Sequence, residues 1–126
     1  MLLVVDVQER LIGTIADRAE LVENIKALMN TAEILGIPIL MREQEKLGDT
    51  IAELDKASPH FPRYRKLSFS CCENRSFSGK LRELGRETVI VCGIETHICV
   101  LQTALELLER GYCVVVPKDA TSSPAP

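Results

Sequence analysis

Residues 88–108, TVIVCGIETHICVLQTALELL, decide the fold. A short β-branched run, Thr88–Cys92, enters a tight turn at Gly93 and leaves as an apolar helix from about His97 to Arg110, with Gly111 as its stop. Cys99 falls in the first turns of that helix. There, unpaired backbone N–H groups and the positive end of the helix dipole favour a thiolate. Strand, turn and thiol-bearing helix together form the usual presentation of a nucleophile, so Cys99 is the first residue to explain.

Working outward, the pattern repeats. Leu2–Val5 is a continuous apolar run, as expected for a strand covered on both faces, and it stops at Asp6, which belongs at a strand's carboxyl end. Leu21, Ile25, Leu28, Met29, Ala32 and Leu35 recur at helical spacing and end at Gly36, a natural C-cap before Pro38. Ile37–Met41 reads as a second strand, followed by a polar loop and a short helix near Thr50–Lys56. An extended segment is expected around Tyr64–Phe69, a helix around Ser78–Leu84, a strand over Tyr112–Val116 and an irregular tail beyond. This strand–helix alternation predicts a single α/β domain over residues 1–126, a doubly wound three-layer α/β/α arrangement with a mostly parallel sheet. Such sheets bind ligands at strand carboxyl ends near the switch point.

Composition narrows the partners. The 126 residues are 46% hydrophobic with a formal charge of −3, enough for one core and without a broad attraction for nucleic acid or anionic membrane. Only Arg63, Arg65 and Lys66 cluster, and no apolar run approaches a membrane span. The opening MLLVV is too short for a signal peptide, so a cytoplasmic protein is expected. Five cysteines, at 71, 72, 92, 99 and 113, lack the paired spacing of a zinc ribbon or a dithiol motif. Cys92 and Cys113, both within strands, read as small buried hydrophobes.

Three reactive side chains lie where this architecture gathers them: Asp6 ends the first strand, Lys66 lies beside the third, and Cys99 follows the fourth. A carboxylate can take the thiol proton, an ammonium can hold anions in place, and a thiolate can attack a carbonyl carbon. Backbone N–H groups of the Gly93–Cys99 turn could serve the oxyanion. Taken singly, Asp6 could cap a loop, Lys66 could be a solvated surface residue and Cys99 could be core. His97 is two residues from Cys99 and does not face it on a helix, so it reads as a helix-start or subunit-contact residue. Glu9, Glu43 and Glu45 read as solvated loop charges.

VVDVQ (4–8), KLSFS (66–70), GIETHICV (93–100) and the following QTALELLERGY, in this order and spacing, resemble the isochorismatase-like cysteine hydrolase superfamily across nearly the whole chain. The run GIETHICVLQTALELLERGY, with LGDT near residue 48 and FSCCENRSF after the lysine, is most similar to its isochorismatase domain-containing branch. The resemblance implies a triad of Asp6 as general base, Lys66 as positioning cation and Cys99 as nucleophile, acting on a small amide or related carbonyl compound through a thioester. It also implies a cis peptide at Ile94–Glu95, aiming the Glu95 and Cys99 amides at the oxyanion, with Gln8 and Phe69 near the pocket.

Nicotinamidases in the superfamily use a metal held by an Asp and two His. The matching segment Gly48–Tyr64 offers Asp49, Asp55 and a single histidine, His60, so neither metal nor other cofactor is expected. The family fold continues with a further helix and strand where this chain stops at Pro126, so a C-terminally short, five-stranded version is expected, with uncovered apolar surface on the Cys99 helix and a homo-oligomer to cover it. Two other classes stay open: a non-catalytic binding or assembly protein that keeps the fold, and a thiol redox sensor pairing Cys99 with Cys71 or Cys72.

Overall fold

A run that is apolar at every position can be buried on both faces, and such a run forms the centre of the sheet. In the computed structural model, which describes residues 1–57, 61–66 and 75–125, β1 (Leu2–Val5) is buried throughout. It pairs in parallel with β2 (Ile39–Gln44) on one side and β4 (Thr88–Ile94) on the other. Next to β2 lies β3 (Arg63–Lys66), and next to β4 lies β5 (Cys113–Val115), both parallel. The order β3-β2-β1-β4-β5 reverses between β1 and β4, so the crevice above their carboxyl ends is the switch point.

Period-two alternation then sorts the two cores. Leu2 and Val4 face α2 (Arg18–Ile34), packing with Leu21, Ile25 and Met29. Leu3 and Val5 face the opposite way, onto Phe77 and Leu81 of α4 (Arg75–Leu84), Val100, and Leu107 of α5 (Leu101–Glu109). Two short helices, α1 (Glu9–Ile12) and α3 (Ala52–Asp55), lie in the connections after β1 and β2. The result is the expected three-layer arrangement. Gly36, at φ +68°, closes α2 as its C-cap pattern implies, with Ile37 N donating to Ala32 O at 2.8 Å.

Gly93 has a stricter reason. Its φ is +118°, and a Cβ there would lie 2.0 Å from Val5 O, inside the β1–β4 ladder. Only a residue without a side chain lets the nucleophile-bearing strand approach the first strand so closely.

Several expectations need correction. The second strand starts and ends later than the apolar run suggested, running on through Arg42, Glu43 and Gln44, because β3 supplies backbone partners for all three. Glu43 is buried, not solvated: its Oε2 accepts from Thr50 N and Thr50 Oγ1, each at 2.9 Å. Cys113 is exposed, because β5 lies at the sheet edge with only its middle residue, Val114, turned partly inward. The tail is not irregular throughout. A 3₁₀ turn over Lys118–Ala120 buries Ala120 and leads to β6 (Thr121–Ser122), which pairs with β4 at Gly93 and Ile94, above the stretch that pairs with β5. The described sheet therefore has six strands where five were expected.

The apolar surface expected on the Cys99 helix is present. Leu101, Leu105 and Leu108 of α5 are each about half exposed, with Val115 and Val116 exposed on and just after β5. Among the described residues, no helix is long and apolar enough to cross a membrane.

Candidate active site

The carboxyl ends of β1 to β4 bring four polar side chains to one place. β1 ends into Asp6, whose φ of +54° lies in the left-handed region, uncommon outside glycine but tolerated best by Asn and Asp. Asp6 N still donates to Arg42 O at 3.0 Å, so the residue remains tied to the ladder while its backbone turns. The carboxylate meets Lys66, the last residue of β3, with Oδ2 2.9 Å from Nζ. Both side chains are essentially buried, at 0% and 1% exposed. Their contact is an ion pair out of hydrogen-bonding alignment, and Oδ1 has no hydrogen-bond partner among the described residues.

Cys99 enters from the other side of the switch point. After β4 the Ile94–Glu95 peptide is cis, and the chain passes into a π turn over Thr96–Val100 that α5 continues. The wider π turn closes with Val100 N donating to Glu95 O at 3.2 Å. Cys99 is buried, with Sγ 3.6 Å from Gln44 Oε1. Gln44 Oε1 also accepts from Lys66 Nζ at 2.9 Å, so one carbonyl oxygen ties thiol to ammonium.

Gln44, inside the stretch read as a polar loop, is the residue that sequence reasoning missed. Its one signal is a polar side chain following directly on an apolar parallel strand, the same signal that singled out Asp6. Gln8 holds it in place, accepting from Gln44 N at 2.8 Å and donating to Gln44 O at 2.9 Å and Gly48 O at 2.8 Å. With its amide occupied by backbone and no exposed surface, Gln8 is a clamp on the end of β2 rather than a wall of the pocket.

The electrostatics correct the expectation of a preformed thiolate. Burial, joined by the negative charge of nearby Asp6, pushes the Cys99 thiol up to about 12. Lys66 and a hydrogen bond from the Glu95 backbone pull the other way without prevailing. Burial also raises the Asp6 carboxyl, against the pull of Lys66, Cys99 and Arg42. Both groups thus hold a proton more tightly than they would in water, and the thiol is protonated at neutral pH, which suits a base and a nucleophile that exchange one proton.

The remaining sequence candidates fall elsewhere. His97 is exposed, its Nδ1 2.7 Å from Ser123 Oγ and turned from the thiol. Asp49 and Asp55 make ion pairs with Arg65 and Arg63. Phe69, Cys71, Cys72 and His60 lie outside the described residues. Among the described residues, no group of three His, Cys, Asp or Glu is placed to hold a metal.

Comparison with known proteins agrees with this architecture. The isochorismatase domain matches residues 1–126. A secreted isochorismatase effector, Isc1 of Phytophthora sojae, is 34% identical over 98% of this chain and 61% of its own. Isochorismatase domain-containing protein 2 of Danio rerio is 38% identical over 98% of this chain and 62% of its own. The chain thus spans about three fifths of the length of these relatives. Among solved structures, the MAR1 ribonuclease of Caenorhabditis elegans superposes with a TM-score of 0.90 at 37% identity, covering 98% of this chain and 65% of that one. YcaC of Escherichia coli, described as an octameric hydrolase of unknown specificity, superposes with a TM-score of 0.89 at 25% identity, covering 97% and 63%. With the isochorismatase domain matched along residues 1–126, the chain belongs to the isochorismatase family.

Proposed function

We propose that this protein is a cysteine hydrolase acting on a small amide or a related carbonyl compound through a thioester. The observation that carries the reading is the buried Asp6–Lys66 ion pair set beside a buried, protonated Cys99 thiol at the sheet's switch point. Asp6 takes the thiol proton as sulfur bonds to the carbonyl carbon, and the C=O electron pair moves onto oxygen. Lys66 holds the carboxylate in place. The backbone amides of Glu95 and Cys99 receive the oxyanion; the hydrogen bond from the Glu95 backbone toward the sulfur supports this. Collapse breaks the C–N bond, and the leaving amine takes the proton from Asp6. Water then attacks the thioester, giving its proton to Asp6, and the acid leaves as the thiol is restored.

A second reading comes from the worm neighbour, which is a ribonuclease by name. A net charge of −3 and a site closed around a thiol favour the carbonyl reading. We further infer a homo-oligomer, supported by the exposed leucines of α5 and by octameric YcaC. A cytoplasmic setting goes with the free thiols Cys92, Cys99 and Cys113, against the secreted Phytophthora relative.

The deciding experiment is single-turnover trapping, by intact mass, against a panel of small amides, with short RNA as a second arm and Cys99→Ala and Asp6→Asn as controls. An acyl adduct absent from both variants is expected. RNA cleavage that survives Cys99→Ala, with no adduct from any amide, would overturn the reading.

A further inference from the structure

We propose that Arg42 is a positioning residue for this reaction, a second buried cation set beneath the Asp6 carboxylate that keeps the carboxylate ionised so that it can take the Cys99 proton. The inference rests on the reading of Asp6 as the base for Cys99.

Arg42 is only 1% exposed, yet its Nε, Nη1 and Nη2 all lack a hydrogen-bond partner among the described residues. A guanidinium cannot shed its charge at any ordinary pH, and a buried charge is retained only where something nearby compensates it. Alternation along β2 places Leu40, Arg42 and Gln44 on one face. Leu40 packs in the core beneath α4, and Gln44 reaches Lys66 and the Cys99 thiol. Arg42 lies between them, one step below the reacting groups. Its guanidinium carbon stands 5.2 Å from the centre of the Phe77 ring, which Tyr64 braces edge-on at 5.6 Å. The ring attracts the cation but accepts no full hydrogen bond from it. On the other side, the Arg42 backbone is opposite Val5 and accepts the Asp6 N–H.

Among the described residues, the buried anion that feels the Arg42 charge is Asp6. Among the described residues, the charged and titratable groups bearing on that carboxylate are Lys66 of β3, Cys99 of the π turn and Arg42 of β2. Glu43, the neighbour of Arg42, points to the opposite face, to Thr50 and Arg65. Among the described residues, one buried anion at this site thus answers two buried cations. The excess positive charge opposes the effect of burial, which by itself favours a neutral carboxyl that could accept no proton.

The test follows alkylation of Cys99 by iodoacetamide across the pH range, with peptide mass mapping to separate it from the exposed Cys113. Because Asp6 and Cys99 share a proton, the wild-type rate should rise first as the pair loses its Asp6 proton, well before the thiol ionises near 12. Asp6→Asn should lose that lower step. Arg42→Met should move it to higher pH, and Arg42→Lys, which keeps the charge over Phe77, should return it toward the wild-type position. A lower step unmoved in folded Arg42→Met, or displaced as far in Arg42→Lys, would overturn the role of Arg42 while leaving Asp6 as base. A wild type without the lower step, or an Asp6→Asn variant that keeps it, would overturn the base reading and this inference with it. Urea unfolding reports whether each variant folds, and Arg42→Gln replaces Arg42→Met if the latter does not.

Discussion

Lys66 and Asp6 show how little freedom a buried charge has. Lys66→Met would leave the Asp6 carboxylate without its ion-pair partner at 0% exposure, and such a loss typically costs about 3–5 kcal/mol. Burial holds the folded Asp6 value above the unfolded 3.8, so the folded state keeps a proton that the unfolded state has released. Folding is helped by that proton at low pH, and the help is lost as pH rises through the raised folded value. The deficit of Lys66→Met should accordingly be larger at neutral pH than in acid, as urea denaturation at both will show; equal deficits would mean that Asp6 is not the group left exposed to the loss. Cys99 gives a companion prediction: with its thiol near 12, far-ultraviolet thiolate absorbance assigned by difference from Cys99→Ala should be absent at neutral pH. Gln44→Leu removes the oxygen shared by Lys66 and the thiol, and a cost of about 1–3 kcal/mol in stability is expected, with loss of acyl-enzyme formation.

Two glycines separate what an element tolerates from what it forbids. Gly93→Ala would set a methyl 2.0 Å from Val5 O at φ +118°, so the β1–β4 ladder would have to open where the site is assembled. A loss of at least about 3 kcal/mol, or no folded protein, is expected from soluble yield and urea unfolding. Gly13, at the end of α1, has φ −65° and nothing within 4 Å of its would-be Cβ. Gly13→Ala should be neutral or stabilise by about 0.4–1 kcal/mol through the unfolded chain. A reversed ranking of these two substitutions would mean that the ladder geometry around Gly93 is wrong.

For the whole molecule, the exposed stripe of Leu101, Leu105 and Leu108 beside Val115 is the surface to test. Replacing Leu105 with Glu should lower the sedimentation coefficient at a given concentration if copies of the chain associate through it, and should raise solubility if they do not. The same face shows where sequence reading succeeds. The periodicity of α5 and the β-branched strand before it were legible because they are local patterns, one apolar face for the helix and a near-continuous apolar run for the strand. The extension of β2 through Arg42, Glu43 and Gln44 was not, since polar residues inside a strand are stable only when distant partners satisfy them.

From the linear chain alone came the alternation that makes a parallel α/β sheet, the placement of Asp6 at a strand end and of Cys99 at a helix start, and the resemblance that named Lys66. These follow from apolar periodicity and motif order, which need no third dimension. The chain could not announce that Cys99 rests as a thiol, that Gln8 clamps backbone, that Cys113 faces outward, or that Arg42 lies buried over the Phe77 ring. Charge state and burial depend on which groups from distant segments share one low-dielectric space, and only the tertiary fold sets those distances.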